Sequence, residues 1–371
     1  MTGPDGALIM GKPVEEGGGE TDMRDEEVIA AAAEALVSWY RTNRRDLPWR
    51  REPTPYHVWI SEIMLQQTRI EAVLGYYERF LRALPDLPAL AAVDEDRLLK
   101  LWEGLGYYSR ARNLKRAAVQ VVEEYGGVLP YRAEELRKLP GIGAYTAGAI
   151  ASIAYGEPEP AVDGNVLRVT MRLLACPDDV LAPATRRRVT QLLCAVYPRG
   201  EEAALLTEGI MELGETICIP NGEALCPTCP LQGFCRAARS GTSGNYPQRT
   251  KPRERRRETR TVVLLRCGER WAIRRRPVSG LLAGLWEFPN WEGELSPADL
   301  EEQLGVKLRR CEPCGAAQHV FSHVEWQLRG YLADCEQEPE GLCWRTAEEI
   351  AADYSIPTAF RCFKKKMLEQ A

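Results

Sequence analysis

Near residue 240 the sequence changes its period, and that break divides the chain into two folding problems. From about residue 25 to 235, apolar residues recur at helical spacing. The amphipathic stretches are 26–41, 56–69, 72–84, 94–103, 107–125, 133–138, 143–154, 163–174, 185–196 and 201–213, punctuated by Gly, Pro and Asp. Residues 236–258 are rich in Pro, Gly, Ser and Arg. Beyond them Thr261-Val-Val-Leu-Leu-Arg266, Cys267-Gly-Glu-Arg270 and Trp271-Ala-Ile-Arg274 read as a β-hairpin, followed by a single helix near 297–304 and strands at 317–321 and 324–333. The expected fold class is multidomain: an all-α domain over 25–235, a basic linker over 236–258, and an α+β domain over 259–371. Residues 1–24, with acidic residues and Gly17-Gly-Gly19 but no apolar core, read as a disordered tail.

No apolar run approaches the roughly 18 residues that cross a bilayer, so no membrane partner and a cytoplasmic setting are expected. The net charge of −5 argues weakly against nucleic acid, but it hides an asymmetry: residues 236–260 carry nine Arg or Lys against Glu254 and Glu258. Such a run taken alone is as often a solvated connector. Of twelve cysteines, Cys218, Cys226, Cys229 and Cys235 fall within eighteen residues, a density that suits metal or cluster ligation better than a disulfide framework. Their C-x7-C-x2-C-x5-C spacing lacks the paired knuckles usual for zinc and better suits a [4Fe–4S] cluster, although spacing alone leaves zinc open.

Three further elements carry chemistry. Leu139-Pro-Gly-Ile-Gly143, between a short helix and an Ala/Gly-rich one, reads as a helix–hairpin–helix. Gly141 and Gly143 would free backbone N–H groups to meet a DNA phosphate. Glu62, within Ser61-Glu-Ile-Met-Leu-Gln-Gln-Thr68, shares one face of the 56–69 helix with Val58, Leu65 and Arg69. There it is either a solvated edge residue or a buried carboxyl kept protonated near neutral pH, as a general acid must be. Asp163 in Val162-Asp-Gly-Asn165 stands where a helix begins, so it reads as an N-cap. Hydrogen bonds from helix N–H groups would also keep it ionised. A neutral Glu beside an ionised Asp divides the labour that base departure from deoxyribose requires: the base is protonated, and the oxocarbenium-like sugar faces a fixed anion.

In this order the four elements resemble the helix–hairpin–helix DNA glycosylases that bear an iron–sulfur cluster, and within them the MutY-type adenine DNA glycosylases, over about residues 28–371. The resemblance implies a six-helix module at about 47–157 and an iron–sulfur module built from 25–46 and 158–235. Tyr145 falls where lyase-active relatives carry a Schiff-base Lys, which implies base release without efficient strand cleavage. By resemblance Glu62 protonates adenine and then helps activate water. Asp163 stabilises the oxocarbenium ion or forms a transient adduct, and Tyr145 and Asn165 organise the pocket. Arg45, Trp49, Arg50 and Glu208 would line it. Gln67, Thr68, Leu105 and Tyr107 would penetrate the duplex and surround the opposite base.

Gly280-Leu-Leu-Ala-Gly-Leu-Trp-Glu-Phe-Pro289 resembles the Nudix-like domain of these proteins, and Phe321-Ser322-His323 its 8-oxoguanine-sensing loop. The implied partner is double-stranded DNA holding an 8-oxoguanine:adenine mispair, engaged by a monomer. Two departures stand out. The first cysteine gap is x7 where the family usually has x6, and Ala298-Asp-Leu-Glu-Glu-Gln-Leu-Gly305 lacks the Arg-Glu start and the second paired Glu of a Nudix metal helix, which argues against nucleotide hydrolysis. The alternatives are a thymine or uracil mismatch glycosylase, which should lack the Phe321-Ser322-His323 reader; a non-catalytic, cluster-bearing DNA-binding or redox-sensing protein; and a Nudix hydrolase with a helical appendage.

Overall fold

The computed structural model describes residues 23–250 and 254–370. Most of the expected tail therefore lies outside the described residues. Arg24 does not belong with it, because its backbone and guanidinium bond Glu27 and cap the helix Asp25–Asn43.

The helical region holds two cores. One gathers apolar side chains from Leu47 to Ala161. The other joins the face Val28–Tyr40 of the first helix to residues from Val162 to Leu231, so the chain leaves this lobe and later returns to complete it. Short helices that periodicity missed, Pro48–Arg51 and Leu87–Ala92, fill turns of the first lobe. They are too short to show a helical period.

The stretch expected to be helical over 56–69 ends early. The helix is Pro55–Leu65, Gln67 takes a left-handed φ of 58°, and the next helix, Ile70–Ala83, starts after Arg69. Arg69 is thus a cap residue and not part of the Glu62 face. Buried Arg110 accounts for the stop. Its guanidinium donates to the carbonyls of Ile63, Met64 and Gln66 at 2.6, 3.1 and 2.8 Å, and also to those of Leu105 and Gly106. These are carbonyls that a continuing helix would have occupied.

The expected basic linker is partly ordered. Arg236–Arg239 is a helical turn packed on the second lobe, with Arg236 paired to Asp25 at 2.7 Å. The first strand already begins at Arg256.

The C-terminal domain is built on a seven-stranded mixed sheet: β1 Arg256–Cys267, β2 Arg270–Arg275, β3 Trp286–Glu287, β4 Asn290–Glu292, β5 Leu308–Val320, β6 Val324–Cys335 and β7 Cys343–Arg345. The order β3-β2-β1-β6-β5 places β1 parallel to β6, while β4 and β7 pair with β1 and β2. The apolar run Val262–Leu265 is continuous because both faces are covered: Val262 and Leu264 face one core, Val263 and Leu265 the other. The helix expected near 297–304 is Pro297–Leu304, but it is not alone. Ala347–Asp353 and Arg361–Leu368 also pack here. The last presents so many lysines that its apolar stripe, Phe363 and Met367, is thin in the sequence.

Candidate active site

Glu62 and Asp163 meet at the seam between the two helical cores. Glu62 lies near the end of Pro55–Leu65 and is only 6% exposed. Burial pushes its carboxyl up to about 7, against a hydrogen bond from the Tyr145 hydroxyl that lowers it, with Asp163 and Glu208 raising it further. Tyr145 reaches it because the hairpin sets the start of the helix Ala144–Ala149 beside the seam. Gly141, at φ 77°, lies so close to Asn113 that a Cβ would stand 2.6 Å from that residue's own Cβ.

Asp163 caps the helix Gly164–Leu173, accepting the Val166 N–H at 2.8 Å and the Asn165 side-chain amide at 2.9 Å. The sequence suggested that such bonds hold it low. In the folded protein burial outweighs them, and its pKa is raised. Asn165 accepts in turn from Arg168 at 2.8 Å, and Arg168 also donates to the carbonyls of Gly214 and Cys218.

Around the pair lies a cleft lined by Arg45, Trp49, Arg50, Thr68, Tyr145, Asn165 and Glu208 together with both carboxylates. Trp49 stands edge-on to Tyr77, 5.4 Å between centroids. Glu208 accepts the Tyr40 hydroxyl at 3.1 Å, and burial raises its pKa. Sequence reading missed Glu212, which is 1% exposed and accepts from Arg45 at 2.5 Å and Arg50 at 2.9 Å. Burial opposes ionisation of Glu212, yet the bonds from the two arginines leave its pKa lowered. Glu212 follows Glu208 by one helical turn, and Met211 and Glu215 line the same cleft.

The other predicted residues divide between places. Thr68 lines the same cleft as Glu62 and Asp163. Leu105 is buried in the first helical core. Gln67 and Tyr107 both adopt left-handed backbones, at φ 58° and 47°. Tyr107 is 49% exposed while its neighbour Tyr108 is buried. Tyr107 opens onto a second cavity of about 1300 Å³ between the domains, shared with Phe321, Ser322 and His323. Its hydroxyl lies 3.2 Å from the Ser322 hydroxyl. Phe321 is anchored edge-on between His319 and Trp326, at 4.5 and 4.9 Å. His319, also on the cavity wall, was not anticipated.

Two family models match the chain: the HhH-GPD superfamily base excision DNA repair protein over residues 60–195 and the NUDIX domain over 261–366. The human adenine DNA glycosylase is 33% identical over 92% of this chain and 76% of its own length. The chain belongs to the adenine DNA glycosylases. Its helical part is also similar to a thermostable thymine-DNA glycosylase, with a TM-score of 0.52 and 26% identity over 58% of this chain and 97% of the other. A non-covalent endonuclease III–DNA complex gives 0.50 and 26%, over 59% and 99%. As an adenine DNA glycosylase, the protein acts in base excision repair.

The cysteine module of this glycosylase closes the second lobe. Cys218 follows the helix Glu201–Thr216, and the Leu225 N–H bonds the Ile217 carbonyl at 3.0 Å. That bond closes the 219–224 loop, in which residues 220–223 are exposed. Burial pushes the Cys229 thiol up to about 11, and the charges of Cys218, Cys235 and Cys226 add to this. Arg172 donates to the Cys218 sulfur at 3.3 Å. Among the described residues no three His, Cys, Asp or Glu side chains form the compact group that a single metal ion needs. No helix among them is long and apolar enough to cross a membrane.

Proposed function

We propose that this adenine DNA glycosylase removes adenine mispaired with 8-oxoguanine, and with guanine more slowly, by hydrolysis and without an efficient lyase step. Glu62, protonated near neutral pH, gives its proton to adenine N7. The C1′–N9 bond breaks and its electron pair leaves with the base. Asp163 faces the cationic sugar, whose charge draws the raised pKa of this carboxyl back down. Tyr145 and Asn165 hold the two carboxylates in place by the bonds described above. Water then adds to C1′ and yields its proton to Glu62, closing the cycle. Arg45, Trp49, Arg50 and Glu208 bound the space left for the purine. No amine at Tyr145 is available to form a Schiff base.

The observation that carries the substrate assignment is the Tyr107–Ser322 contact, which brings an exposed aromatic of the catalytic domain and the reader loop into one cavity. In that reading Gln67 and Tyr107 enter the duplex, stacking at ~1–3 kcal/mol per base, while Ser322 and His323 meet the damaged base. Gly141 and Gly143 approach a phosphate. The Nudix-like domain reads and does not hydrolyse: Asp299 is bonded to Ser296 at its own helix start, and Glu301 holds Lys307 and the Leu308 N–H.

Cys218, Cys226, Cys229 and Cys235 offer four soft, half-buried donors with a guanidinium beside them, a set that fits a [4Fe–4S] cluster. When bound, that group would supply a cross-link between the end of Glu201–Thr216 and the turn at Arg236. Purified protein should show a broad visible band near ~400 nm that Cys229→Ser abolishes; a colourless protein loaded with zinc would overturn this part.

The functional test is single-turnover cleavage of duplexes holding 8-oxoguanine:A, G:A or T:G. Adenine release from the first, with strands intact until alkali, is the expected result. Equal activity on T:G, or hydrolysis of free nucleotides, would overturn it.

A further inference from the structure

The loop Glu103–Tyr107 is held at both ends by the second domain. At its tip the Tyr107 hydroxyl meets Ser322. At its base the Glu103 carboxylate accepts the Ile356 N–H at 3.0 Å and the Lys364 ammonium at 2.7 Å, both from the C-terminal domain. Lys100, at 2.7 Å from the same carboxylate, donates across the boundary to the carbonyls of Ala351 and Tyr354. Ser355 donates to the Leu99 carbonyl at 3.1 Å. Each of these charged side chains is about one-fifth exposed, so solvent screens the cluster only partly.

Between the two anchors the loop has little freedom. Tyr76 donates to the Glu103 carbonyl at 2.8 Å, and Trp102 to that of Gly106 at 3.1 Å. Gly104 sits at φ 105°, where a Cβ would collide with the Tyr76 hydroxyl. These contacts leave a short, stiff path from Glu103 to Tyr107.

We propose that Glu103 is a positioning residue through which the C-terminal domain sets the wedge loop, so that lesion preference depends on the Glu103–Lys364 pair as well as on groups that touch the base. The proposal rests on the 8-oxoguanine reading above. The pair sits at the base of the loop, outside both cavities, and does not take part in the chemical step. Its loss should therefore lower the preference for 8-oxoguanine:A over G:A and leave the G:A rate nearly unchanged. A merely structural role would lower both rates together.

Single-turnover rates for the two duplexes would be measured with the full-length protein and with Lys364→Met, Lys364→Arg and Glu103→Gln. Lys364→Met should reduce the rate ratio about tenfold, in the range of ordinary site-to-site coupling, and Lys364→Arg should restore most of it. Glu103→Gln keeps an acceptor for the Ile356 N–H and should fall between them. It also serves as the second probe should Lys364→Met prove unstable. An unchanged ratio in Lys364→Met and Glu103→Gln, or an equal fall on both duplexes, would overturn the coupling while leaving the substrate assignment standing. Absence of any preference in the unmodified protein would instead overturn the substrate assignment.

Discussion

The base cleft and the inter-domain cavity are built on opposite plans. In the cleft, Glu62, Asp163, Glu208 and Glu212 are packed with two arginines and tyrosine hydroxyls, and Glu62 and Glu212 are almost wholly removed from water. Fixed charges in a dry seam are strong and need no rearrangement when the sugar becomes cationic. The inter-domain cavity holds Tyr107 half exposed, with hydroxyl and imidazole groups on a loop. Such groups can exchange water for a base edge at little cost. On the function proposed above, reacting and recognising would ask opposite things of polar groups: the cleft keeps them buried and pre-oriented, and the inter-domain cavity leaves them free to meet DNA.

Substitutions that respect this division should give effects of very different size. Glu62→Gln should slow adenine release about 10³-fold, since it removes the proton donor, with duplex affinity nearly unchanged in a gel-shift assay. A rate within threefold of the parent would mean that the buried carboxyl is not the acid. The same substitution should stabilise the fold. Glu62 is raised to about 7 in the folded protein, so its protonated form costs little at low pH. Stability is lost as pH rises through that value, while the unfolded chain has ionised near the ordinary 4.5. The advantage of Gln should therefore grow between these two pH values and level off above 7 at ~2–3 kcal/mol, as denaturant melts at pH 5 and 8 would register.

Catalysis by the parent should fall about tenfold per pH unit above 7, a slope checked by single-turnover rates on a fixed duplex. At the other cavity, Tyr107→Ala should weaken binding of the 8-oxoguanine:A duplex by ~1–3 kcal/mol and slow release from it far more than from G:A. Ser322→Ala should be smallest, a loss of ~1 kcal/mol confined to the 8-oxoguanine duplex. If Ser322→Ala affected G:A equally, the cavity would not be the reader.

Legibility from sequence followed the same division. Glu62, Asp163 and the hairpin stood out because each has a local cause, a helical face, a cap and a glycine turn, whereas Tyr145 was singled out only through the family resemblance. Glu212 was not, since an acid among acids on a helix reads as solvated until the folded chain brings Arg45 and Arg50 against it. The direction of the Asp163 shift was misjudged for a related reason: capping bonds are visible in sequence and burial is not. The helix end at Leu65 depends on Arg110, more than forty residues away. The Glu103–Lys364 pair joins residues in different domains, which no periodicity can reveal.

Arg110 has a further consequence. Its charge is balanced by five backbone carbonyls and no carboxylate among its hydrogen-bond partners, and its guanidinium stands over the rings of Trp102 and Tyr107. Dissolved ions have little to compete for there. Raising the ionic strength should strip the protein from DNA phosphates while leaving the turns that carry Gln67 and Tyr107 in place, so that salt controls how often the glycosylase is on DNA and hardly at all the shape in which it arrives.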